Sequence, residues 1–295
     1  MAEVSVIIPT YNRANLIKRA ISSVARQTFK DLEIIVIDDG SEDDTDKIVQ
    51  NIADSRIRYK KIDHSGVSRA RNEGIKLSRG RWIAFIDSDD EWLDTKIEKQ
   101  LKYLENHPQY LACHTDEIWI KDGVRINQGK KHKKYAGNFF LPSLKMCLIS
   151  PSSIIIQRDI FTEIGGFDES FKYVEDYELW LRLTSKYEVG YINEKLVIKY
   201  GGHNNQLSSK IDGIEKYRMM ALEKFIKNNH SNDLLKGHVD QAFKEYIRKF
   251  HIYSLGCLKR GKIKELSKLR HKYEELESLL NNRVNIHSLG TKLSV

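Results

Sequence analysis

Four carboxylates follow an apolar run in the stretch FIDSDDEW, residues 85–92. The acidic residues are Asp87, Asp89, Asp90 and Glu91. Negative charges at such separations repel one another by on the order of a few kcal/mol at an effective dielectric constant near 20, so the cluster predicts a cationic partner. If the chain stays extended, the side chains of Asp87 and Asp89 lie on one face of the strand.

Two interpretations of this cluster follow from the residues alone. Oxygen ligands without nearby cysteine favour Mg²⁺ or Mn²⁺, which complete their shells with water and substrate phosphates. The alternative is a solvated acidic loop, in which Asp90 or Glu91 lies near the positive end of the following helix.

A second acidic cluster, DDGSEDD, occupies residues 38–44. A dinucleotide fold would carry a glycine-rich turn after its first strand and a P-loop would carry GxxxxGK[ST], but these strands end in PTYNR and DDGSEDD. Because the carboxylates would repel a diphosphate, we expect this loop to meet a neutral donor such as a base N–H or a ribose hydroxyl. Tyr11 could stack on the base or shield the core, and Arg69 or Arg71 could reach the phosphates.

A third signal is GGFDESFKYVEDYELWLRL, residues 165–183. Glu175 and Asp176 lie at the start of a predicted amphipathic helix, so a carboxylate there faces either a pocket or water. A partly buried aspartate beside a substrate hydroxyl is a suitable general base. The alternative is an acidic residue that complements the helix dipole.

Alternating strands and helices must position these clusters. VSVIIPTYN and LEIIVIDDGS have the near-continuous apolar runs of buried parallel strands. Further strands are predicted at 57–62 and 81–87, and helices at 15–26, 42–53 and 68–78, with Ser41 and Asp44 as a capping box for the second helix. This rhythm predicts a doubly wound, mostly parallel α/β sheet whose polar clusters line one crevice beyond the strand ends.

The rhythm changes after residue 110. Two strands are predicted around the turn Asp122–Gly123, followed by the basic loop GKKHKKY, a strand in SSIIIQ and a helix over 174–185. Everything after residue 211 is predicted to be helical. The sequence therefore divides into two halves, 1–110 and 111–210, and a helical C-terminal extension, 211–295.

Composition narrows the class of protein. The chain of 295 residues is 40% hydrophobic, enough for a sizeable core, and its apolar runs are far shorter than a bilayer crossing requires. With no secretory segment after Met1, we expect a cytoplasmic protein. The three cysteines, Cys113, Cys147 and Cys257, suit neither a disulfide framework nor a zinc site.

The basic character belongs to the extension. Residues 211–295 carry 17 Lys and Arg against 10 Asp and Glu. A solvated helical face is one interpretation, and peripheral contact with the inner face of a membrane is another, because basic residues there alternate with Leu258, Ile263, Leu266 and Leu269. Nothing matches a base-reading module, so nucleic acid is not expected as a partner.

Six motifs in order give the sequence a family resemblance over residues 3–210. They are VSVIIPTYNR, VIDDGSEDDT, GVSRARNEG, FIDSDDEW, GGFDESF with VEDYELWLRL, and HNNQLS. Together they resemble the family 2 glycosyltransferases, which are inverting enzymes of the A-type glycosyltransferase fold that take sugars from nucleotide diphosphates. The resemblance implies a catalytic domain at 1–210, with a nucleotide-binding half at 1–110 and an acceptor-binding half at 111–210.

The resemblance also implies roles for individual residues. Asp39 resembles the acid that reads the uracil ring, Asp176 the catalytic base, and Asp89 with His203 the metal site. The other implied nucleotide-sugar contacts are Pro9, Thr10, Tyr11, Arg13, Gly66, Arg71, Asp87 and Ser88. The resemblance implies that three further residues lie near the acceptor or support the residues that contact the ligands. They are Asp90, Glu175 and Trp180.

The implied reaction is transfer of a single sugar, with inversion, from a nucleotide-diphosphate sugar, with UDP favoured. The implied cofactor is Mn²⁺ or Mg²⁺, and the implied acceptor is a carbohydrate or a lipid-linked saccharide of cell-surface polysaccharide, lipopolysaccharide or glycoconjugate assembly. No QxxRW motif follows Asp176, which disfavours a processive polymerase. The alternatives are a catalytically silent nucleotide-sugar binder or membrane-associated scaffold and a sugar nucleotidyltransferase, although the latter should show a glycine-rich basic turn after its first strand.

Overall fold

The structure is a computed structural model that describes residues 2–202 and 213–290, with the backbone alone from residue 282 onward. The chain divides into two compact units. The first comprises Met1–Phe139 with Cys147–Lys210, and the second comprises Phe140–Met146 with Ile211–Val295. The segment Phe140–Met146 thus groups with the C-terminal helices, which the sequence pattern did not indicate.

Nine strands and ten helices are described. The strands are β1 (Val4–Thr10), β2 (Leu32–Asp38), β3 (Ile57–Lys61), β4 (Trp82–Phe85), β5 (Glu91–Trp92), β6 (Ala112–Lys121), β7 (Val124–Ile126), β8 (Ile154–Gln157) and β9 (Gly190–Gly201). The helices are α1 (Ile17–Ala25), α2 (Thr45–Gln50), α3 (Val67–Leu77), α4 (Lys96–Asn106), α5 (Phe140–Lys145), α6 (Ile160–Ile164), α7 (Glu175–Lys186), α8 (Ile214–Asn229), α9 (Lys236–Lys259) and α10 (Ile263–Gly290).

The strands form one sheet in the order β3-β2-β1-β4-β8-β6-β9-β5, with β7 paired to β6. Strands β3, β2, β1 and β4 are parallel. Every residue of β1 and β2 is buried, as their uninterrupted apolar runs predicted. Helix α3 packs directly on β1, because a Cβ at Gly74 would lie 2.4 Å from Cγ2 of Ile7. Because β1, β2 and β4 are parallel neighbours, their carboxyl ends share one edge of the sheet.

The other half of the sheet is mixed. Strand β8 runs antiparallel to both neighbours, β4 and β6, whereas β6 is parallel to β9. The predicted turn at Asp122–Gly123 is confirmed as the tip of the β6–β7 hairpin, where both residues have positive φ, 51° and 77°. This hairpin reverses the chain without a crossover helix, which makes β6 and β7 an antiparallel pair.

The predicted capping box at Ser41 and Asp44 is wrong. Helix α2 begins only at Thr45, and the Ser41 hydroxyl accepts a hydrogen bond from the Asn12 N–H at 2.8 Å. Asp43 instead accepts from the Thr45 N–H at 3.1 Å. The loop after β1 needs these acceptors for its own backbone donors, so Ser41 is used there and the helix is shorter than predicted.

The second unit contains α5, α8, α9 and α10 and is built around a buried cation. Lys249 is 1% exposed; its ammonium donates to the Lys145 carbonyl at 2.9 Å and pairs with Glu215 at 2.6 Å. Because these three residues lie on α9, α5 and α8, one charge joins three helices. The prediction of helices after residue 211 is confirmed for the described residues, and none of those helices is long and apolar enough to cross a bilayer.

A buried lysine in the first unit gives the stability of the protein a pH dependence. Lys96 on α4 is fully buried, donates to Gln100 Oε1 at 2.6 Å and lies 3.9 Å from the Trp92 ring centroid. Burial lowers its pKa from 10.5 to about 7. The unfolded chain therefore binds more protons than the folded chain between pH 7 and 10.5, so this residue makes stability rise with pH across that window.

We expect Lys96→Met to raise the free energy of unfolding at pH 7 by about 2 kcal/mol, since an apolar side chain removes the cost of a desolvated ammonium. The difference from the wild type should shrink at pH 9.5. Urea unfolding followed by circular dichroism measures both values. Lys102→Met, at an exposed position of the same helix, is the control and should change neither. If Lys96→Met were less stable than the wild type by the same amount at pH 7 and at pH 9.5, the lowered pKa of Lys96 would be contradicted.

Candidate active site

Asp39 anchors the loop at the carboxyl end of β2. Its buried carboxylate accepts from the Ser65 N–H at 2.8 Å and from the Gly66 N–H at 2.9 Å. Gly66 has φ 96°, a conformation open chiefly to glycine, and directly precedes α3. The carboxylate that resembles a uracil-reading acid therefore also fixes the loop from which α3 begins.

An aromatic pair lies beside Asp39. Tyr11 stacks on His64 with ring centroids 4.0 Å apart, and His64 Nδ1 lies 2.8 Å from Asp39 Oδ2. Both remain exposed, Tyr11 by 38% and the His64 side chain by 55%. Such a platform can stack on a planar base. The sequence singled out Tyr11 but missed His64, because nothing in its pattern shows that the loop before α3 folds back to the end of β1.

Arg71 is the central cation of the site. It is 3% exposed on α3, and its guanidinium pairs with Asp87 at 2.8 Å and with Glu175 at 2.7 Å. Burial alone would lower the pKa of Arg71, but the two carboxylates outweigh it and raise that pKa above its ordinary value. One arginine therefore joins the segment after β4 to the start of α7, which the sequence placed 88 residues apart.

The two carboxylates that Arg71 joins titrate differently. Burial raises the pKa of Asp87, but Arg71 outweighs burial and the net pKa is lowered. At Glu175 burial prevails over Arg71, with the adjacent Asp176 adding repulsion, and the pKa is raised. As the pH falls, Glu175 is therefore protonated before Asp87.

The acidic segment after β4 is a turn, so the predicted strand 81–87 ends two residues early and the chain does not stay extended through Asp89. Strand β4 ends at Phe85, and the Asp90 N–H donates to the Asp87 carbonyl at 2.9 Å. The chain must turn here because β5 begins at Glu91 and pairs with β9. Asp87 and Asp89 thus lie in one tight turn and do not lie on the same face of a strand.

Asp90 lies behind this turn. It is 2% exposed and accepts the Ser152 hydroxyl hydrogen bond at 2.5 Å. Burial, with repulsion from Asp87 and Asp89, raises its pKa well above the ordinary value. The same Ser152 oxygen accepts from the Asp87 N–H at 3.0 Å, so one hydroxyl holds both ends of the turn.

Two charged residues that the sequence analysis missed complete the acidic region. Lys199 on β9 lies 3.9 Å from Asp90, and the burial that would lower its pKa is outweighed by Asp90 and Glu117, which raise it. Glu117 on β6 is 2% exposed; burial raises its pKa, but Lys134 and Lys199 outweigh burial and bring it to about 2. Both residues sit in strands without a local motif, so only the β6–β9 pairing reveals them.

Asp176 lies in the first turn of α7, after a strained residue. Val174 has φ 57° and ψ 26°, a left-handed conformation that costs a β-branched residue about 1–3 kcal/mol. Asp176 is half-buried, accepts from the Tyr177 N–H at 2.7 Å and lies 3.3 Å from the Cys147 sulfur. Strain of this size persists where the surrounding structure fixes a special geometry, here the direction in which α7 presents its two acids.

The remaining predicted residues of the nucleotide half lie at the same edge of the sheet. Pro9 and Thr10 end β1, and the Thr10 carbonyl accepts from the Asp39 N–H at 2.8 Å. The Arg13 N–H donates to the Thr45 hydroxyl at 3.0 Å, and Ser88 is buried within the acidic turn.

Two predicted residues stand apart. Trp180 is 2% exposed and packs edge to face against Phe167, with centroids 6.3 Å apart, so it belongs to the core beneath α7. His203 lies outside the described residues.

The donor set of the acidic turn suits a divalent ion that also binds its substrate. Within residues 2–202 and 213–281, whose side chains the structure describes, no three or more His, Cys, Asp or Glu side chains form a metal site by themselves. Mg²⁺ and Mn²⁺ are commonly held by only one or two carboxylates, with water and substrate phosphates as further ligands. Asp89 and Asp87 supply hard oxygen donors of that kind.

Three acidic elements, Asp39, the turn after β4 and the Glu175–Asp176 pair, thus share the carboxyl edge of a mixed α/β sheet. This mixed sheet with its flanking helices is the A-type glycosyltransferase fold. The family model "Glycosyl transferase family 2" matches residues 5–165, and the chain belongs to that family. The family and fold predicted from the sequence are confirmed.

Sequence relatives agree with this membership, and a solved structure agrees with the fold. An uncharacterized glycosyltransferase of Rickettsia felis is 38% identical over 195 residues, which are 66% of this chain but only 32% of that protein. UDP-Glc:alpha-D-GlcNAc-diphosphoundecaprenol beta-1,3-glucosyltransferase WfaP of Escherichia coli is 37% identical over 197 residues, which are 63% of this chain and 72% of WfaP. The crystal structure of S. aureus TarS 1-349 in complex with UDP-GlcNAc has a similar fold, with TM-score 0.78, 20% identity and coverage of 97% of this chain and 83% of that chain.

Proposed function

We propose that the protein transfers a single sugar, with inversion, from a UDP-sugar to a hydroxyl of a lipid-linked saccharide during assembly of a cell-surface polysaccharide, lipopolysaccharide or other glycoconjugate. The observation that carries the proposal is the half-buried Asp176, held at the start of α7 next to the Arg71–Glu175–Asp87 ion pairs. The donor class is supported by TarS, which was crystallised with UDP-GlcNAc, and the acceptor class by WfaP, whose name includes a diphosphoundecaprenol acceptor.

In the proposed reaction Asp176 accepts the proton of the acceptor hydroxyl as its oxygen attacks the anomeric carbon of the donor. The bond from that carbon to the nucleotide diphosphate breaks, and attack from the opposite side inverts the configuration. Tyr11 with His64 stacks on the base, and Asp39 accepts from the base N–H. Arg71 keeps Asp87 and Glu175 in place, which makes it a positioning residue.

We assign the metal site to Asp89, with Asp87 and His203 as further ligands. A bound Mn²⁺ or Mg²⁺ would neutralise negative charge on the departing diphosphate. This assignment rests on the hard oxygen donors of the turn and on the family resemblance.

The proposed reaction is tested by incubating the protein with radiolabelled UDP-sugars and a polyprenyl-diphosphate GlcNAc acceptor in Mn²⁺ or Mg²⁺ buffer. We expect label in the lipid product from one of the UDP-sugars, and the product anomer should be opposite to that of the donor. A silent binder would give a calorimetric binding signal with UDP-sugars and neither transfer nor hydrolysis. That result, across a donor panel including UDP-Glc and UDP-GlcNAc, would overturn the proposal.

The metal assignment makes its own prediction. We expect Asp89→Ala to lower transfer at least a hundredfold, because leaving-group charge is no longer neutralised. Thermal-shift measurements should show that Mn²⁺ enhances stabilisation by UDP in the wild type and that EDTA removes the enhancement. Asp94→Ala, an exposed acid of the next segment, is the control and should behave as the wild type. Full Mn²⁺ enhancement in Asp89→Ala would show that the ion binds elsewhere.

A further inference from the structure

An apolar patch lies exposed at one end of the second unit. Its members are Ile252, Leu255 and Leu258 of α9 and Ile263, the first residue of α10, with exposures of 54%, 60%, 54% and 59%. The three α9 residues recur at a spacing of three, so they share one face of the helix. Tyr253 and Cys257 occupy the opposite face and are buried. The patch therefore projects from a helix whose other side is already packed.

Basic residues are concentrated in the same stretch of sequence as this apolar patch. Residues 244–270 contain nine Lys and Arg against two Glu, a balance of 9−2=+7. Lys249 is buried, but the other basic side chains in that range are exposed or half-exposed. Those nearest the patch in sequence are Lys259, Arg260, Lys262 and Lys264. A helix face with apolar residues at its centre and cations around them is typical of segments that lie in a membrane interface.

We propose that this apolar patch, with its basic surround, binds the surface of a bilayer rich in anionic lipids. The apolar side chains would enter the boundary between headgroups and acyl chains, and the cations would pair with lipid phosphates. A second copy of the chain is a less favourable partner for this patch, because two surfaces with the same +7 balance of charge would repel each other. Membrane binding of this kind is separate from the proposed reaction. It would place the enzyme at the bilayer surface, where a lipid-linked acceptor is found.

The structure also corrects which residues would face lipid. The sequence pattern offered Leu258, Ile263, Leu266 and Leu269 as the apolar side. Leu269 is only 7% exposed, so it packs inside the helical unit. Ile252 and Leu255, which lie one to two turns earlier on α9, take part instead.

Vesicle co-sedimentation of the full chain tests the proposal. We compare phosphatidylcholine vesicles with vesicles containing about 30% phosphatidylglycerol, at low and high salt. The variants are Ile252→Ser/Leu255→Ser/Leu258→Ser and Lys259→Glu/Arg260→Glu/Lys264→Glu. Leu234→Ser is the control, because Leu234 is 93% exposed before the other end of α9, about 36 Å along a helix of 24 residues.

We expect the wild type and Leu234→Ser to bind anionic vesicles at least tenfold more tightly than neutral ones, and salt to weaken that binding. Each triple variant should lose about tenfold in affinity for anionic vesicles, while its circular dichroism and its UDP binding by calorimetry stay unchanged. Equal pelleting of the wild type on both kinds of vesicle, or wild-type pelleting by both triple variants, would overturn the proposal. The proposal would also be overturned if analytical ultracentrifugation showed a dimer of the wild type, and the Ile252→Ser/Leu255→Ser/Leu258→Ser variant abolished that dimer without changing vesicle binding. Because transfer is not measured, failure here leaves the proposed reaction untouched.

Discussion

Asp176→Asn is expected to lower the turnover number for sugar transfer about a thousandfold while leaving donor binding unchanged. Removal of a positioned general base typically costs 10²–10⁴-fold in rate, and an amide cannot accept the proton of the attacking hydroxyl. The substitution keeps the size and shape of the side chain. Its Oδ1 can still accept from the Tyr177 N–H, so α7 should begin as it does in the wild type.

The measurement is a transfer assay with radiolabelled donor at saturating acceptor, with UDP binding followed separately by calorimetry. Asp159→Asn is the matched control, because Asp159 is an exposed acid at the start of α6 in the same unit. We expect the control to retain wild-type turnover. Wild-type turnover in Asp176→Asn would remove Asp176 from the reaction, whereas equal losses in both variants would point to a general effect of charge.

The order and type of elements around the site follow from local pattern. Continuous apolar runs predicted β1 and β2, and the spacing of apolar residues predicted α1, α3 and α7 to within about two residues. Parallel strands bring their carboxyl ends to one edge, so the meeting of Asp39, the acidic turn and the neighbourhood of Arg71 was also predictable. These features depend on periodicities that a short window of sequence contains.

Other parts of the site depend on contacts that no local pattern contains. Lys199 and Glu117 lie in strands that pair across the sheet, and neither has a neighbouring motif. The left-handed Val174 could not be anticipated, because valine disfavours that conformation and only the surrounding structure enforces it. The turn at Asp87–Asp90 was not predicted for a related reason: the short β5, which fixes where β4 must end, has too few residues to show a strand pattern.

Arg71 shows most clearly how tertiary contacts change a role. The sequence offered it as a cation that reaches the donor phosphates, yet the structure commits its guanidinium to Asp87 and Glu175. With that charge balanced inside the protein, the proposed reaction would need other cations to neutralise the diphosphate of its donor. This charge balance is an independent reason to expect an ion at Asp89.

Arg71→Met is accordingly expected to destabilise the folded protein by about 3 kcal/mol, because it leaves two half-buried carboxylates without their cation. Asp87 and Glu175, whose side chains are 26% and 12% exposed, would then face each other's charge without a cation between them. Urea unfolding at pH 7, followed by circular dichroism, gives the free energy. Arg69→Met, a half-exposed arginine on the same helix, is the control and should cost less than about 1 kcal/mol, as exposed ion pairs do.

The decisive comparison is the triple variant Arg71→Met/Asp87→Asn/Glu175→Gln. If the destabilisation comes from uncompensated charge, neutralising both carboxylates should recover most of the lost stability, because neutral amides cost far less to bury than unpaired carboxylates. If it comes from lost packing, for example against Phe167, whose ring centroid lies 5.0 Å from the guanidinium carbon, the triple variant should be no more stable than Arg71→Met. Recovery in the triple variant would establish Arg71 as the ion-pair centre that positions the start of α7, while absence of recovery would reject that role.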